Sequence, residues 1–246
     1  MVYQTIIKPG YELLKVKNSQ HDFPVHFHKR LCIGKVVSGN KYIIIDNHEN
    51  VVSKNCLYII PPYAAHSCKA DGNSEYLVFS LEQNEADNLK VLSEGAKFLG
   101  IGIDKIVELT NDIYNYGSIK NNIVNYLINF CEENCNTNLK TNDLANKLGY
   151  NKFYILHLFK EKVGISLHQY LIQLRIKQAK QENGCSNLLD ISLGNGFFDQ
   201  SHFIRHFKRY EGITPKEYYK SKTMEYGWYS YNEAERKALT EPINNV

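Results

Sequence analysis

One twelve-residue segment occurs twice in this 246-residue chain. The segment from Phe159 to Tyr170 returns 48 residues later as the segment from Phe207 to Tyr218, with Phe, Lys, Gly, Ile, a hydroxyl residue and Tyr at matching places. A repeat of this period is typical of a small helical unit and not of a duplicated domain. The chain therefore carries one helical unit twice, and two copies in tandem favour an elongated binding partner.

Charge is distributed unevenly along the sequence. Residues 118–222 hold 15 basic and 9 acidic side chains, whereas residues 1–117 hold 12 and 13 and residues 223–246 hold 2 and 4. A basic segment between weakly acidic flanks favours a polyanionic partner, because it steers the partner and releases its counterions. The length suits two domains that each bury a core.

Six cysteines are scattered through the sequence, and no secretion segment or apolar run of membrane-spanning length accompanies them. We therefore expect a cytoplasmic protein with reduced thiols. Cys131 and Cys135 lie one helical turn apart, but no second pair nearby would complete a structural zinc set, so they are interpreted as ordinary thiols.

Each repeat is predicted to contain a helix, a tight turn and a second helix. The residues from Ser166 to Gln169 and from Thr214 to Glu217 are both capping boxes, in which a hydroxyl and the side chain three residues later satisfy free amides at a helix start. A helix-turn-helix unit can place its second helix in the major groove of DNA, where base edges are distinguishable. Two such units predict a bipartite DNA reader.

The motifs of this region resemble the DNA-binding domain of the AraC/XylS family of transcription regulators over residues 118–220. The matching residues are Leu144-Ala145, Gly149-Tyr150, Leu158-Phe159-Lys160, Gly164, Arg175, Ala179, Gly196-Phe197, Asp199-Gln200-Ser201-His202-Phe203, Arg205, Phe207-Lys208, Gly212-Ile213-Thr214-Pro215 and Tyr218. The resemblance implies that eight side chains face DNA. They are Lys152, Phe153, Leu156 and His157 in the first unit and Gln200, Ser201, His202 and Arg205 in the second.

These side chains offer different chemistry to a base pair. Arg205 can bind guanine with two hydrogen bonds and Gln200 can bind adenine, whereas Phe153 and Leu156 offer apolar contact to thymine methyl groups. His157 stands where the resembling family usually has arginine. We therefore predict T-rich or degenerate readout by the first unit.

The N-terminal half alternates short β-rich runs with turn residues, which is typical of a sandwich or small barrel. The segments from Phe23 to His28 and from Pro61 to His66 resemble the cupin-like sensor domain often fused to this DNA-binding domain. The predicted fold class is thus α+β, with a β-barrel over residues 1–82, a helical hairpin over 83–117, the all-α reader over 118–222 and an aromatic extension over 223–246. The joint is expected at 116–118.

Strand alternation places His26, His28, Arg30 and Cys32 on one face, which would line the barrel interior. Metal-binding cupins carry a glutamate where this chain has Cys32, and Arg30 would repel a cation, so we expect no metal and no cofactor. The same wall suits an anionic or hydroxylated small molecule. Its predicted contacts are His26, His28, Arg30, Tyr58 and His66. The alternative is that these histidines are hydrogen-bonded core residues beside a vestigial pocket.

Two further segments leave alternatives open. The hairpin is the usual self-association element in the resembling regulators and favours a homodimer, but its apolar stripe could instead cover the barrel. In the extension, Tyr226, Trp228, Tyr229 and Tyr231 favour docking on the protein, and partner binding is the alternative.

The sequence therefore predicts a non-enzymatic regulator that binds double-stranded DNA and answers to a small-molecule effector. The resemblance favours activation through RNA polymerase, with repression by occlusion still open. Two rival interpretations are a metal-dependent cupin enzyme with a DNA-targeting module and a ligand-independent regulator controlled by abundance or by a protein partner.

Overall fold

The computed structural model describes residues 2–111, 119–137, 139–182 and 187–226. The expected joint at 116–118, Cys185 and the extension beyond residue 226 lie outside the described residues, so the prediction that the extension docks is not addressed. Within the described ranges, no helix is both long and apolar enough to cross a membrane. The remaining cysteines, among them Cys131 and Cys135, are free thiols.

The N-terminal half consists of two antiparallel sheets. Its strands are β1 (Val2–Lys8), β2 (Tyr11–Ser19), β3 (Phe23–His26), β4 (Leu31–Ser38), β5 (Lys41–Ile45), β6 (His48–Val52), β7 (Leu57–Ile60), β8 (His66–Ala70) and β9 (Ser74–Leu81). The five-stranded sheet has the order β1-β2-β9-β4-β7 and the four-stranded sheet the order β3-β8-β5-β6. Cys32, Val36, Ile43, Val52 and Tyr58 form a buried cluster that joins strands of both sheets.

The prediction of a closed barrel is therefore wrong, because the described strands form two separate sheets. The prediction of a cupin-like α+β architecture is confirmed. Both sheets are open. Strand β7 lies at the edge of one sheet and β3 at the edge of the other, and each has four residues. Strands this short offer few groups for pairing across the gap. The pairing of β3 with β8 also shifts register between Phe23 and His26.

A helical hairpin covers the five-stranded sheet. Helices α1 (Leu89–Leu99) and α2 (Ile103–Asn111) bury the apolar stripe of α1 against β9, with Leu92 and Leu99 packed in the same cluster as Phe79. The stripe is thus buried within its own domain, as one of the two sequence interpretations proposed. Self-association through the outer face of the hairpin stays a prediction.

The C-terminal half is helical. Its helices are α3 (Asn122–Asn134), α4 (Thr141–Leu148), α5 (Lys152–Val163), α6 (Leu167–Ala179), α7 (Leu188–Gly194), α8 (Gln200–Glu211) and α9 (Pro215–Tyr226). Both predicted capping boxes form. Gln169 and Glu217 accept from the backbone amides of Ser166 and Thr214 at 2.9 and 2.7 Å, and the two hydroxyls accept in return from the amides of Gln169 and Glu217.

Helix α6 divides the helical half into two units. Its N-terminal part packs with α3, α4 and α5 around Phe159, and its C-terminal part packs with α7, α8 and α9 around Phe203 and Phe207. Arg175 joins α6 to the segment that follows α3, because its guanidinium donates to the carbonyl oxygens of Cys135 and Thr137 at 2.6 and 3.0 Å. The repeat thus gives two helix-turn-helix units on one shared helix.

The sheet domain docks on both units. Phe27 packs edge-on against Tyr170, with ring centroids 5.5 Å apart, and its backbone amide donates to Gln173 of α6. Tyr3 packs edge-on against Tyr218 of α9 at 6.1 Å and lies in the same buried cluster as Phe207. The two halves therefore share buried apolar contacts.

Candidate DNA-reading helices and sensor cavity

Helix α5 presents an apolar surface to solvent at its N-terminal end. The side chain of Asn151 accepts from the amide of Phe153 at 2.8 Å and caps the helix. Phe153 is 77% exposed, which is unusual for an aromatic residue on a short, well-packed helix. Lys152 and His157 are also exposed, and Leu156 is half-buried. The four predicted reading residues of this unit therefore reach solvent to different extents.

Helix α8 is capped in the same way and presents more polar groups. Asp199 accepts from the amide of His202 at 2.7 Å. Ser201 and Arg205 are exposed, and Gln200 is half-buried. Because Ser201 and Arg205 lie four residues apart, they share one face of the helix. This face carries a hydroxyl and a guanidinium, both of which can bind base edges.

His202 is the exception among the predicted reading residues. Its ring packs edge-on against Phe197 at 5.6 Å and against His206 at 4.5 Å, and its Nδ1 atom is buried without a hydrogen-bond partner. Burial, followed by repulsion from Arg205, lowers the pKa of His202. A neutral ring in these contacts supports the turn that precedes α8 and has less freedom to reach DNA than Arg205.

A cavity of about 310 Å³ lies between the sheets and the connecting helix α6. All five residues predicted from the sequence to contact a ligand line it, namely His26, His28, Arg30, Tyr58 and His66. Lys177 of α6 and Lys180, which caps the C-terminal end of that helix, also line the cavity. The cavity is thus shared by the sheet domain and the reader, which the sequence interpretation did not foresee.

The histidines form one compact wall. His26 and His66 are cross-strand partners of β3 and β8, and their ring centroids lie 3.9 Å apart, with His28 4.8 Å from His66. The Nδ1 atoms of His26, His28 and His66 lie 2.8–2.9 Å from the carbonyl oxygens of Pro24, Arg30 and Ala64. A carbonyl oxygen only accepts, so each Nδ1 carries the proton and each Nε2 carries a lone pair.

The environment keeps these rings neutral. Burial, with repulsion from His28, lowers the pKa of His26 to about 4. Burial and the nearby Arg30 lower the pKa of His28 to about 4, although its hydrogen bond to the Arg30 carbonyl opposes the change. The wall therefore offers three uncharged nitrogen acceptors at neutral pH.

Cations in the cavity are mostly paired with carboxylates. Arg30 lies 3.2 Å from a carboxylate oxygen of Glu12 and 3.2 Å from one of Glu82. Lys180 lies 2.9 Å from Glu211 of α8 and 3.7 Å from Glu12 of β2. Burial alone would lower the pKa of Lys180, but the carboxylates of Glu12 and Glu211 outweigh burial, so the pKa is raised. Glu12 thus joins a cation of the sensor to a cation of the reader.

Sequence reasoning missed Lys41, whose side chain is buried on the cavity wall. Its Nζ atom lies 3.4 Å from the centroid of the Tyr76 ring and 5.7 Å from those of Phe23 and Tyr58. A cation over aromatic faces is stabilised by the ring quadrupoles. Lys41 and Ile43 lie two positions apart in β5 and therefore share its buried face. This spacing was the one sequence signal that the Lys41 side chain points inward.

Both halves of the chain match known domain models. An AraC-like ligand binding domain matches residues 8–108, and a helix-turn-helix domain matches residues 144–221. The first model covers β2 to β9 and most of the helical hairpin, and the second covers both reading helices. A sensor-like domain docked on two helix-turn-helix units defines a DNA-binding transcription regulator.

Curated relatives agree. The chain is 37% identical over 84 residues to the probable transcription factor PqrA of Proteus vulgaris, which covers 33% of this chain and 68% of that protein. It is 37% identical over 83 residues to the HTH-type transcriptional activator AarP of Providencia stuartii, and the match spans 62% of AarP. An uncharacterized HTH-type regulator, YbfI of Bacillus subtilis, is 26% identical over 235 residues, with 78% of this chain and 85% of YbfI covered.

This chain belongs to the AraC/XylS family of transcription regulators. Its two-domain fold is similar to the crystal structure of ToxT from Vibrio cholerae O395, with a TM-score of 0.62, 16% identity and coverage of 87% of this chain and 98% of that one. At this identity the likeness concerns the fold alone.

Proposed function

We propose that the chain binds promoter DNA through α5 and α8 and activates transcription, and that a small anionic effector in the shared cavity adjusts the arrangement of the two halves. The observation that carries this proposal is the repeated unit, in which each capped reading helix leaves side chains exposed that the structure does not use for packing. A fold can outlive its function, but exposed Phe153 and Arg205 lie where a DNA reader needs them.

The two helices are expected to contribute differently. Arg205 would supply a directional contact to guanine, with Ser201 and Gln200 beside it. Phe153 and Leu156 would contact thymine methyl groups or sugars, with Lys152 on phosphate and His157 at a base edge. His202 would act mainly through the position of the helix. Affinity would therefore come from both units and sequence discrimination mainly from α8.

The cavity supports an effector-dependent regulator over a ligand-independent one. It has room for a small molecule and is lined by β3, β8 and α6, so a ligand there would touch both halves at once. A ligand shifts an equilibrium only by binding one arrangement better than another. Wild-type ToxT from Vibrio cholerae strain SCE256 has been crystallised with an unsaturated fatty acid bound. Lys41 and Lys177 supply the positive charge that a carboxylate effector would need here.

Activation would require contact with RNA polymerase, and AarP is a named activator within the family. Phe198 is 88% exposed beside α8 and offers an apolar surface next to the DNA. A homodimer through the outer face of α1 and α2 would let two readers bind neighbouring sites. Both partners belong to the proposal.

DNA binding is tested by selecting binding sites from random duplexes with the purified full chain at physiological salt. We expect one enriched site with two contact segments one helical turn apart, and about 5- to 150-fold weaker binding by Arg205→Ala, since a bidentate contact contributes ~1–3 kcal/mol. Lys105→Ala is the matched control, because it removes one exposed positive charge from the sensor hairpin. Equal loss in both variants, or no enriched site, would contradict sequence-specific reading.

Effector binding is tested by thermal-shift titration with straight-chain carboxylates of increasing length. The wild type should be stabilised by a subset of them, and Arg30→Ala, which changes the cavity wall, should show a smaller increase from its own baseline. No stabilisation of the wild type by any carboxylate would remove the anionic effector from the proposal. It would leave the DNA-reading part untouched.

A further inference from the structure

The histidine wall of the cavity has the arrangement of a metal site. His26, His28 and His66 each place a ring nitrogen within 4.8 Å of the other two, and among the described residues they form the one such group of three potential ligands. His26 and His66 are paired residues at one end of β3 and β8, and His28 lies two residues beyond β3. A side-chain cluster set by strand pairing is held more firmly than one on surface loops.

The hydrogen bonds of the rings select the metal-binding tautomer. All three Nδ1–H groups donate to backbone carbonyls, which leaves the Nε2 lone pair of each ring free to bind an ion. Metal-ligating histidines almost always donate their other ring nitrogen in this way, because the bond fixes the ring and raises its basicity. The backbone hydrogen bonds therefore leave three imidazole Nε2 atoms available as metal ligands.

We propose that the three Nε2 atoms bind one divalent transition-metal ion of the zinc class, with a fourth position open to the cavity. Imidazole suits zinc and its neighbours in the first transition row, whereas calcium and magnesium need oxygen ligands. Bonds of 2.0–2.1 Å in tetrahedral geometry separate the nitrogens by about 3.3 Å, so the rings need to close by roughly an ångström and a half at most. This assignment reverses the expectation drawn from Cys32 and Arg30 in the sequence.

Neither of those two residues opposes the ion in the folded protein. Arg30 is paired with Glu12 and Glu82, so its charge is largely balanced where it lies. Cys32 lies 3.7 Å from Nε2 of His28 but makes a closer contact of 3.0 Å with the hydroxyl of Ser80. We therefore do not count Cys32 among the metal ligands, although its sulfur lies next to them. Lys41, held over Tyr76, also lines the cavity and favours an anion or hydroxide at the open position.

The test measures metal uptake by the full chain, purified without a histidine tag and stripped with a chelator. Zn²⁺ is titrated by calorimetry, and bound metal is measured after gel filtration. We expect one equivalent in the wild type and at least about tenfold weaker binding in His28→Asn and His66→Asn. His48→Asn is the matched control, since His48 is exposed and makes the same Nδ1 bond to a carbonyl two residues away, that of Asp46. It should bind as the wild type does.

Two further measurements keep the assignment falsifiable. His206→Asn alters the other close pair of imidazoles, His202 and His206, and should leave uptake unchanged. Circular dichroism and DNA affinity show whether each variant is folded. Co²⁺ substitution should give the visible spectrum of a tetrahedral nitrogen-rich site without a thiolate charge-transfer band. No stoichiometric uptake by the wild type, unchanged uptake in folded His28→Asn, or a thiolate band would each overturn the proposal.

Discussion

The Nζ atom of Lys180, at the C-terminal end of the helix shared by the two DNA-reading units, lies 2.9 Å from a carboxylate oxygen of Glu211 at the end of the second reading helix. The same Nζ atom lies 3.7 Å from Glu12 in the sensor sheet. Tyr3, also from the sensor, donates its hydroxyl to Glu211 at 2.9 Å. One largely buried ammonium group, on a side chain 14% exposed, thus joins the sensor, the shared helix and the end of a reading helix.

Replacement of Lys180 by methionine should therefore be costly. It would leave Glu12 and Glu211 without their shared cation, and removing one partner of a buried ion pair typically costs ~3–5 kcal/mol. We expect a clear fall in the midpoint of urea denaturation. Lys105→Met is the control, because Lys105 pairs with Glu108 on an exposed helix surface, where such pairs contribute roughly 0–1 kcal/mol. Similar small changes in both variants would show that the Lys180 network adds little to stability.

The same network predicts a pH dependence in acid. Burial acts to raise the pKa of Glu12, but Lys180 and Arg30 outweigh it, so the pKa lies below the ordinary value of 4.5. A carboxyl group with a lowered folded-state pKa adds stability above its unfolded pKa, and this contribution is lost as pH falls through the folded value. Between pH 5 and the folded pKa of Glu12, the wild type should lose more stability than Glu12→Gln.

Urea denaturation of the two proteins at a series of pH values measures this difference. The gap between them should narrow as the pH falls from about 5, because both then carry a neutral group at position 12. A constant gap over that range would mean that Glu12 is not titrating against Lys180 and Arg30. Lys180 does not affect this window, since its raised pKa places its own loss at alkaline pH, above the ordinary value of 10.5.

The features predictable from the sequence were the local ones. The capping boxes at Ser166 and Thr214 depend on residues three positions apart, and each helix-turn-helix unit lies within about two dozen consecutive residues. The repeat is visible by comparing the sequence with itself at a separation of 48 residues. Strand alternation assigned His26, His28 and Arg30 to the inward face without knowledge of the partner strand, although residues 27–30 lie between β3 and β4 in the structure. Tyr58 and His66 were expected on the same wall from their places in other segments, and all five residues line the cavity.

The remaining features depend on contacts between distant parts of the chain. Lys180 and Glu12 are 168 positions apart, and a lysine on a helix is ordinarily a solvated residue. The open sheets were missed because alternation does not give register, and register decides whether a sheet closes. The sequence interpretation rejected a metal because of Cys32 and Arg30. The argument for a metal site rests instead on the carbonyl oxygens that accept from His26, His28 and His66, and no spacing rule predicts those hydrogen bonds.

Packing of the helical hairpin on the sheet can be tested at Gly95. A Cβ atom at this position would clash with the Phe79 ring, and Gly95 and Phe79 are both buried. Gly95→Ala should therefore destabilise the protein by ~1–3 kcal/mol through overpacking. Gly102→Ala is the matched control, because a Cβ there meets nothing within 4 Å. It should be neutral or slightly stabilising, since alanine restricts the unfolded chain. Equal denaturation midpoints in the two variants would contradict the close contact of α1 with β9.

The base preference of the first reading helix can be changed at His157. This residue is exposed on α5, one turn beyond Phe153, where the family usually has arginine. Arginine can bind guanine through two hydrogen bonds, and such a contact discriminates by ~1–3 kcal/mol, or about 5- to 150-fold. Binding-site selection with His157→Arg should therefore recover a guanine in the first half-site that the wild type does not select. The second half-site, read by Arg205, should stay the same. An invariant guanine already present in the first half-site of the wild type would show that α5 reads DNA through another residue, and the apolar role given to Phe153 would have to be abandoned.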